Sequence, residues 1–508
     1  MSVEFLDKTR HIFPRWRSFQ STASLGELTW PAVQEEFDTS ELDVSLANAV
    51  VEWKADPSLW KGLDLLGTAT VSNRLDDFAG LVAELRANPR TPKAARAFFG
   101  ESQEPTRVEP SEGSQLSEET LRREVKLHRH KVISTPKDPV EWVELARAFT
   151  IAGQNEKGRR AILAALQLAP NNRFVLRSAA RFFIHVGEPD IAQALLGSAR
   201  PLRQDPWLLA SEIAIADSLG KSSRHIRSAR ERLEGDLPAS VLTELAAALG
   251  SLEAESGNHR LARKFLRRSL EQANENSVAQ IRWLNRVHLD EAVDVSNARP
   301  PLLHEANAKA SFYRGDFETA RDESLCWLED QPFASAPAVL SSYILADLFA
   351  DWEAGKRVAE RGLVANQDDL GLLNNLAVCL MELGEISKAE EVVDRLRAAE
   401  RGAKSSAIHK ATFGMLAFRK GDPDSGRKLY FEAIEEANGE GSRPLAARAA
   451  FHLAIEELVA GTDQSEQAVK RISRLDKADE FVESTRLLNR VISLLKMPEA
   501  GSQPLISP

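Results

Sequence analysis

Apolar residues recur at three- and four-residue steps over most of the chain, interrupted at intervals by a glycine. Between Asp369 and Leu396, the residues Leu373, Leu376, Ala377 and Leu380 precede Gly384, and Ala389, Val393 and Leu396 follow it. Such steps place the apolar side chains on one stripe of a helix, so the stretch predicts two amphipathic helices. Glycine accepts the left-handed conformation that closes a helix C-terminus, which puts the turn between them at Gly384. Ala377 and Ala389 are small enough for the two helices to cross closely.

The same offsets return elsewhere. Around Gly153 stand Trp142, Leu145, Ala146, Phe149, Gly158, Ile162 and Ala165, with Pro170 closing the unit. Around Gly187 stand Leu176, Ala179, Ala180, Phe183, Ala192, Leu196 and Ala199. Gly257 keeps Leu249, Gly250, Ala262, Leu266 and Ser269, and Gly421 keeps Phe413, Gly414, Tyr430 and Ala433. Gly220, Gly315 and Gly461 mark weaker copies. Most intervals between these glycines are 33 to 40 residues. The 58 residues from Gly257 to Gly315 break step and predict an insertion or bend at 275–300. Residues 336–367 read as a hairpin lacking its glycine. This spacing resembles the tetratricopeptide repeat, a helical hairpin of about thirty-four residues that stacks on copies of itself. The resemblance covers about 139–475. It implies an all-α fold of hairpins stacked into a right-handed superhelix, an α-solenoid, with an extra helical region before it.

Residues 1–100 are that N-terminal helical region. Its stripes are Leu42, Leu46, Ala49 and Trp53, then Leu59, Leu63 and Leu66, then Leu75, Phe78, Val82 and Leu85. It opens on a basic aromatic cluster, Phe13, Pro14, Arg15, Trp16, Arg17 and Phe19. That cluster either packs back onto the first helices or docks as a linear segment on another protein. Residues 101–117 are rich in Pro, Gly, Ser and Glu and read as a flexible linker. Ser117 can cap the helix that follows, with Leu116 and Leu121 as a hydrophobic staple. Residues 118–475 form the repeat array. Residues 476–508 supply a C-terminal capping helix, centred on 479–496, and a loose tail.

The chain has 508 residues, 43% of them apolar and 28% charged, enough for a long array with a buried core and solvated outer faces. Its net charge of −10 is uneven: −6 over 1–117, +5 over 118–300 and −9 over 301–508. Cys326 and Cys379 sit within apolar helical patterns and predict inert buried thiols. The N-terminus lacks the apolar core of a signal peptide, and no apolar run is long enough to span a bilayer; the expected location is cytoplasmic, off the membrane. No phosphate loop, HExxH, CxxC or nucleophile elbow appears, and His128 and His130 lie two apart, on different sides of a helix. The reading is of a non-enzyme without cofactor or metal.

The resemblance implies that the first helix of each hairpin lines a concave groove in which extended peptides or helices bind. Six residues before the glycines stand Arg147, Arg181, Val378, Met415 and Ile455, and ten before stand Arg177, Asn374 and Phe451. Met381 and Phe418 lie three before. The early groove is therefore basic, with Arg177, Arg181 and His185 on one helix face, and is expected to be exposed and to take an acidic or phosphorylated segment. The competing reading pairs these arginines internally with acids such as Glu144 and Glu212. The late groove is apolar, and something must cover it: the 479–496 helix, a second copy of the chain, or a foreign amphipathic helix. The expected function is a non-catalytic protein-binding scaffold or adaptor. The alternative is a nucleic-acid-associated regulator using 118–300, whose second helices carry Lys157, Arg159, Arg160, Arg224, Arg227, Arg230, Arg260, Arg263, Lys264, Arg267 and Arg268.

Overall fold

The computed structural model describes residues 12–21, 39–71, 74–92, 95–96, 118–235, 237–400, 406–475, 481 and 483–496. The 101–117 linker, the Ser117 cap with Leu116, and the tail from 497 lie outside them. The regular structure of the described residues is helical, with no strand among them. The chain divides into two compact units. Among the described residues the first unit holds everything up to Ala310 together with Cys326–Phe333. The second holds Ser311–Leu325 and everything from Ala334 on.

The first unit begins with α1 (Thr39–Ala55), α2 (Leu59–Val71), α3 (Ala79–Ala87) and α4 (Glu118–Ser134). Leu46, Leu63 and Leu66 are buried as the stripes predict, but in α3 the buried pair is Leu81 and Leu85 rather than Phe78 and Val82. A 3-10 turn over Leu75–Phe78 resets the helical phase ahead of α3. Hairpins follow: α5 (Pro139–Ile151) with α6 (Asn155–Leu168), α7 (Arg173–His185) with α8 (Pro189–Ser198), α9 (Pro206–Ser218) with α10 (Ile226–Glu234), and α11 (Ala239–Glu255) with α12 (His259–Leu270). The first helices of the first three hairpins start alike, whereas α11 follows Pro238 without a side-chain cap. The carboxylate of Asp138 accepts from Val140 N, the amide of Asn172 from Val175 N, and Asp205 from Trp207 N and Leu208 N, which satisfies backbone donors that a helix leaves open.

The turns repeat at atomic detail. Gly153, Gly187, Gly220 and Gly257 all have positive φ, between 65° and 81°. After each, the next amide reaches back five residues to a carbonyl: Gln154 N to Phe149 O at 2.8 Å, Glu188 N to Phe183 O at 2.8 Å, Asn258 N to Glu253 O at 2.8 Å. This is the hydrogen bond of a Schellman C-cap, and only glycine takes its backbone without strain. Ala146, Ala165, Ala179, Ala192 and Ala262 at the crossings are fully buried. The break after Gly257 has a physical form. α13 (Glu275–Leu284) loosens into a π turn over Asn285–Leu289, and Asp290 and Glu291 take positive φ. The Asn285 side chain then clamps the irregular chain at Val293, by Nδ2 to the carbonyl at 2.7 Å and Oδ1 from the amide at 3.2 Å. Leu289 and Val293 pack on Ala262, Leu266 and Ile281, so an ordered turn stands where a second helix would.

α14 (His304–Arg314) and α15 (Phe317–Asp330) follow, each with part of its length in either unit. The second unit continues through α16 (Ser335–Tyr343), α17 (Trp352–Ala365), α18 (Leu370–Glu382), α19 (Ile386–Ala399), α20 (Ala407–Arg419), α21 (Pro423–Gly439), α22 (Arg443–Ala460), α23 (Ser465–Ile472) and α24 (Ser484–Lys496). Gly315, Gly384, Gly421 and Gly461 again have positive φ. In the hairpin without a glycine, Ala350 takes the left-handed position at φ 56°.

Candidate protein-binding groove

The concave side of the first unit is not empty. Residues 12–18 run without helical structure along the first helices and end in a short 3-10 turn at Phe19–Ser21. Trp16 is 0% exposed, Ile12 1%, Arg17 2% and Phe19 6%. The basic aromatic cluster therefore packs back on its own chain, but into the groove of the repeats and not onto α1–α3 alone.

Backbone and side chains of the segment are both held. Asn276 Nδ2 donates to Phe13 O at 3.1 Å, Arg147 Nε to Trp16 O at 3.4 Å, and the Phe19 amide to Glu144 Oε1 at 2.6 Å. The Arg17 guanidinium joins Glu275 and meets Asp330 Oδ2 at 2.9 Å, all three groups being almost wholly buried. Arg15 donates to Glu305 Oε2 at 2.8 Å and lies 3.8 Å from Asp330. The Trp16 ring meets Phe182 edge-on at 6.3 Å and Phe333 at 5.4 Å between centroids. Phe19 packs on Phe174 at 5.2 Å.

The arginines anticipated in the groove are present, in other roles. Arg177 is 2% exposed and donates to Trp207 O, Ser211 Oγ and Glu244 Oε2 at 3.1, 3.0 and 2.9 Å. It ties α7 to α9 and α11 and is not an open anion site, which corrects the expectation of exposure. Glu244 in turn accepts from Asn276 at 3.2 Å, so Arg177 reaches the segment only through that chain of bonds. Arg181 stacks over Phe333 at 5.0 Å, and burial, with Arg15 nearby, brings its pKa down to about 10, so it stays charged at neutral pH. His185 meets the same ring at 5.5 Å. Glu144 lies against Phe19, and Glu212 accepts from Ser223, so neither is the partner of Arg177; Glu244 is. Sequence reasoning missed the acids that face the segment, Glu275 and Asp330 above all. They come from the first turn of one helix and the last of another, and no periodicity links them.

In the second unit the apolar residues anticipated as one contiguous, covered patch are divided, and the helix from the C-terminal segment covers one end. Phe451 and Ile455 lie beneath Ile472, Leu487 and Val491, so α24 is a cover for that end. Phe418 turns into its own hairpin and meets Tyr430 at 6.1 Å. Met381 is fully buried. Asn374 accepts from Thr412 Oγ1 at 2.7 Å. With Val378 and Met415 it lines a cavity of about 70 Å³, shared with Trp352, Arg448 and Arg490. Ion pairs hold α24 down: Arg490 spans both oxygens of Glu382 at 2.9 and 2.8 Å, and Arg448 donates to Glu483 at 2.8 and 2.6 Å.

No family model and no curated protein matches the sequence. Among solved structures, the crystal structure of yeast Tom70 overlaps 74% of this chain and 92% of its own, at 13% identity and a TM-score of 0.30. A human IFIT1 dimer with PPP-AAAA overlaps 75% and 95%, at 15% identity and a TM-score of 0.33. A human IFIT1 dimer with m7Gppp-AAAA overlaps 75% and 82%, at 16% identity and a TM-score of 0.24. Overlaps this loose carry no argument about the partner of this chain; the tetratricopeptide-like fold rests on its own repeated turns and crossings. Among the described residues no cluster of side chains could hold a metal ion, and no helix is long and apolar enough to cross a membrane.

Proposed function

We propose that the chain is a non-catalytic scaffold that holds a segment of another protein in the groove of its helical repeats. One observation carries this reading: the non-helical residues 12–18 and the turn at Phe19 lie in the first unit's groove, their backbone bonded by Asn276, Arg147 and Glu144. Bonds to backbone groups do not depend on which chain supplies the backbone, so a groove that holds one such segment can hold another. Arg147, Arg181 and His185 are contact residues of that groove, Arg177 is a positioning residue behind it, and Asn374, Val378 and Met415 line the cavity of the second unit. Met381, Phe418, Phe451 and Ile455 support that unit from within.

The nucleic-acid reading draws on α12, where Arg260, Lys264 and Arg267 are exposed. Purification of the tagged full-length chain from its host, with and without nuclease, separates the two. It is run beside a variant carrying Arg260→Glu, Lys264→Glu and Arg267→Glu, which touches only surface groups. A protein partner that survives both nuclease and charge reversal is the expected result. Recovery of nucleic acid alone, lost on reversal, overturns the scaffold reading.

A further inference from the structure

We propose that the first unit's groove recognises a basic aromatic segment, a large aromatic residue flanked by arginines in non-helical chain, and that residues 12–19 are a built-in ligand of this class which a partner must displace. The proposal rests on the scaffold reading and adds the partner's chemistry and its regulation.

Charge complementarity decides the class. The walls facing the segment present Glu275, Glu305, Asp330 and Glu144; the segment's Arg15 and Arg17 meet the first three, Lys309 of the wall shares Glu305, and Glu144 takes the Phe19 amide beside Arg147. A carboxylate taken out of water without a cation is strongly disfavoured. Glu275 and Asp330 are buried under the segment, with side-chain exposures of 2% and 9%. Any ligand that replaces residues 12–19 and keeps these acids from water must therefore bring a cation to the place of Arg17, which meets both, and a second at the place of Arg15 completes the match to Glu305 and Asp330. An acidic or phosphorylated segment, the expectation from the arginines of α7, would meet like charge. The guanidinium of Arg177 is spent on Glu244, and that of Arg181 on the face of Phe333.

The aromatic position is read by shape. Phe182 and Phe333 form a slot for the Trp16 ring, and Phe333 is itself backed by Arg181 and His185. The indole N–H meets no acceptor there, so the slot asks for a ring and not for a donor. Phenylalanine at this position should serve nearly as well.

Tethering sets how hard the built-in ligand is to displace. A segment on the same chain competes at an effective concentration on the order of millimolar, so for a segment that binds by itself at about 10 μM the closed groove should bind a free peptide about a hundred-fold more weakly than an opened one. A partner then succeeds by offering a better segment or a second point of attachment.

The test uses a fluorescein-labelled peptide with the sequence of residues 11–20 and the full-length chain carrying Trp16→Ala with Arg17→Ala, which empties the slot and the acid pair. Anisotropy should show binding to this variant, about hundred-fold weaker binding to the unaltered chain, and at least a ten-fold loss when the peptide carries Arg15→Glu and Arg17→Glu. A second measurement needs no variant. Hydrogen exchange of the unaltered chain, with excess isotopically heavy peptide, should accelerate at the amides of Arg15 to Phe19 and stay unchanged in α18–α21. Equal binding of the charge-reversed peptide overturns the basic aromatic class while leaving the scaffold reading intact. No binding to a folded variant, together with unchanged exchange in the unaltered chain, overturns the built-in ligand. Should the variant fail to fold, the exchange experiment decides alone. Loss of every protein partner in the purification above would instead overturn the scaffold reading.

Discussion

Substituting Gly426 by alanine should loosen the α20–α21 hairpin, and the same change at Gly439 in the same helix should tighten it. A Cβ on Gly426 would sit 2.5 Å from Phe418 Cδ2 and 2.9 Å from the carbonyl oxygen of Gly414. Carbon contacts settle at about 3.5–4.0 Å, so the ring would have to retreat by about 1 Å. It has little room, since it packs against Tyr430, which is 1% exposed, and the Gly414 backbone cannot move without bending α20. Overpacking of this kind costs about 1–3 kcal/mol, while alanine in a helix recovers about 1 kcal/mol. The net is a loss of up to about 2 kcal/mol, or up to about a 30-fold shift of the local opening equilibrium. A Cβ on Gly439 meets nothing within 4 Å, so only the favourable part remains, up to about 1 kcal/mol. A chain of two units need not melt in one step, so a single midpoint is the wrong observable. Native-state hydrogen exchange over residues 407–439 reads the hairpin directly. Faster exchange in Gly426→Ala and slower exchange in Gly439→Ala are expected. Slower exchange in both variants would refute the close crossing.

Arg177→Glu should destabilise the first unit by about 3–5 kcal/mol, because it removes a buried guanidinium and sets an acid beside Glu244. An unchanged melt of the first unit, with only partner capture weakened, would show that Arg177 is an open site after all. Val491→Asp should release α24 and raise the fluorescence of a hydrophobic dye as Phe451 and Ile455 become wet, whereas Leu495→Asp, at a position 53% exposed, should change nothing. Ala350→Gly should stabilise its turn by up to about 1 kcal/mol, since the left-handed backbone costs an alanine about 1–2 kcal/mol and glycine's extra freedom when unfolded takes back part of that; slower exchange at residues 344–356 is the readout, and faster exchange contradicts it. Neither cysteine should react with a thiol reagent until the chain is denatured, because both are buried and burial pushes the Cys379 thiol well above its usual range; stoichiometric labelling of the native chain would show either site to be open.

The sequence by itself determined the hairpins. Gly153, Gly187, Gly257, Gly384 and Gly421 announce their turns because a left-handed C-cap tolerates little else, and Ala146, Ala179, Ala377 and Ala389 announce close crossings because helices cannot approach over larger side chains. These are local demands on local residues, and they survive without knowledge of the rest of the chain. What fills the groove was decided elsewhere. Arg15 and Arg17 are separated from Glu305 and Asp330 by some three hundred positions, and only stacking of the repeats brings them within an ion pair's reach. Periodicity likewise placed Arg177 on an inner face but could not say that α11 would meet it with Glu244. For the same reason it could not say that Phe418 would turn inward onto Tyr430. A face read from one helix is defined by its direction, and the partner waiting in that direction belongs to tertiary structure.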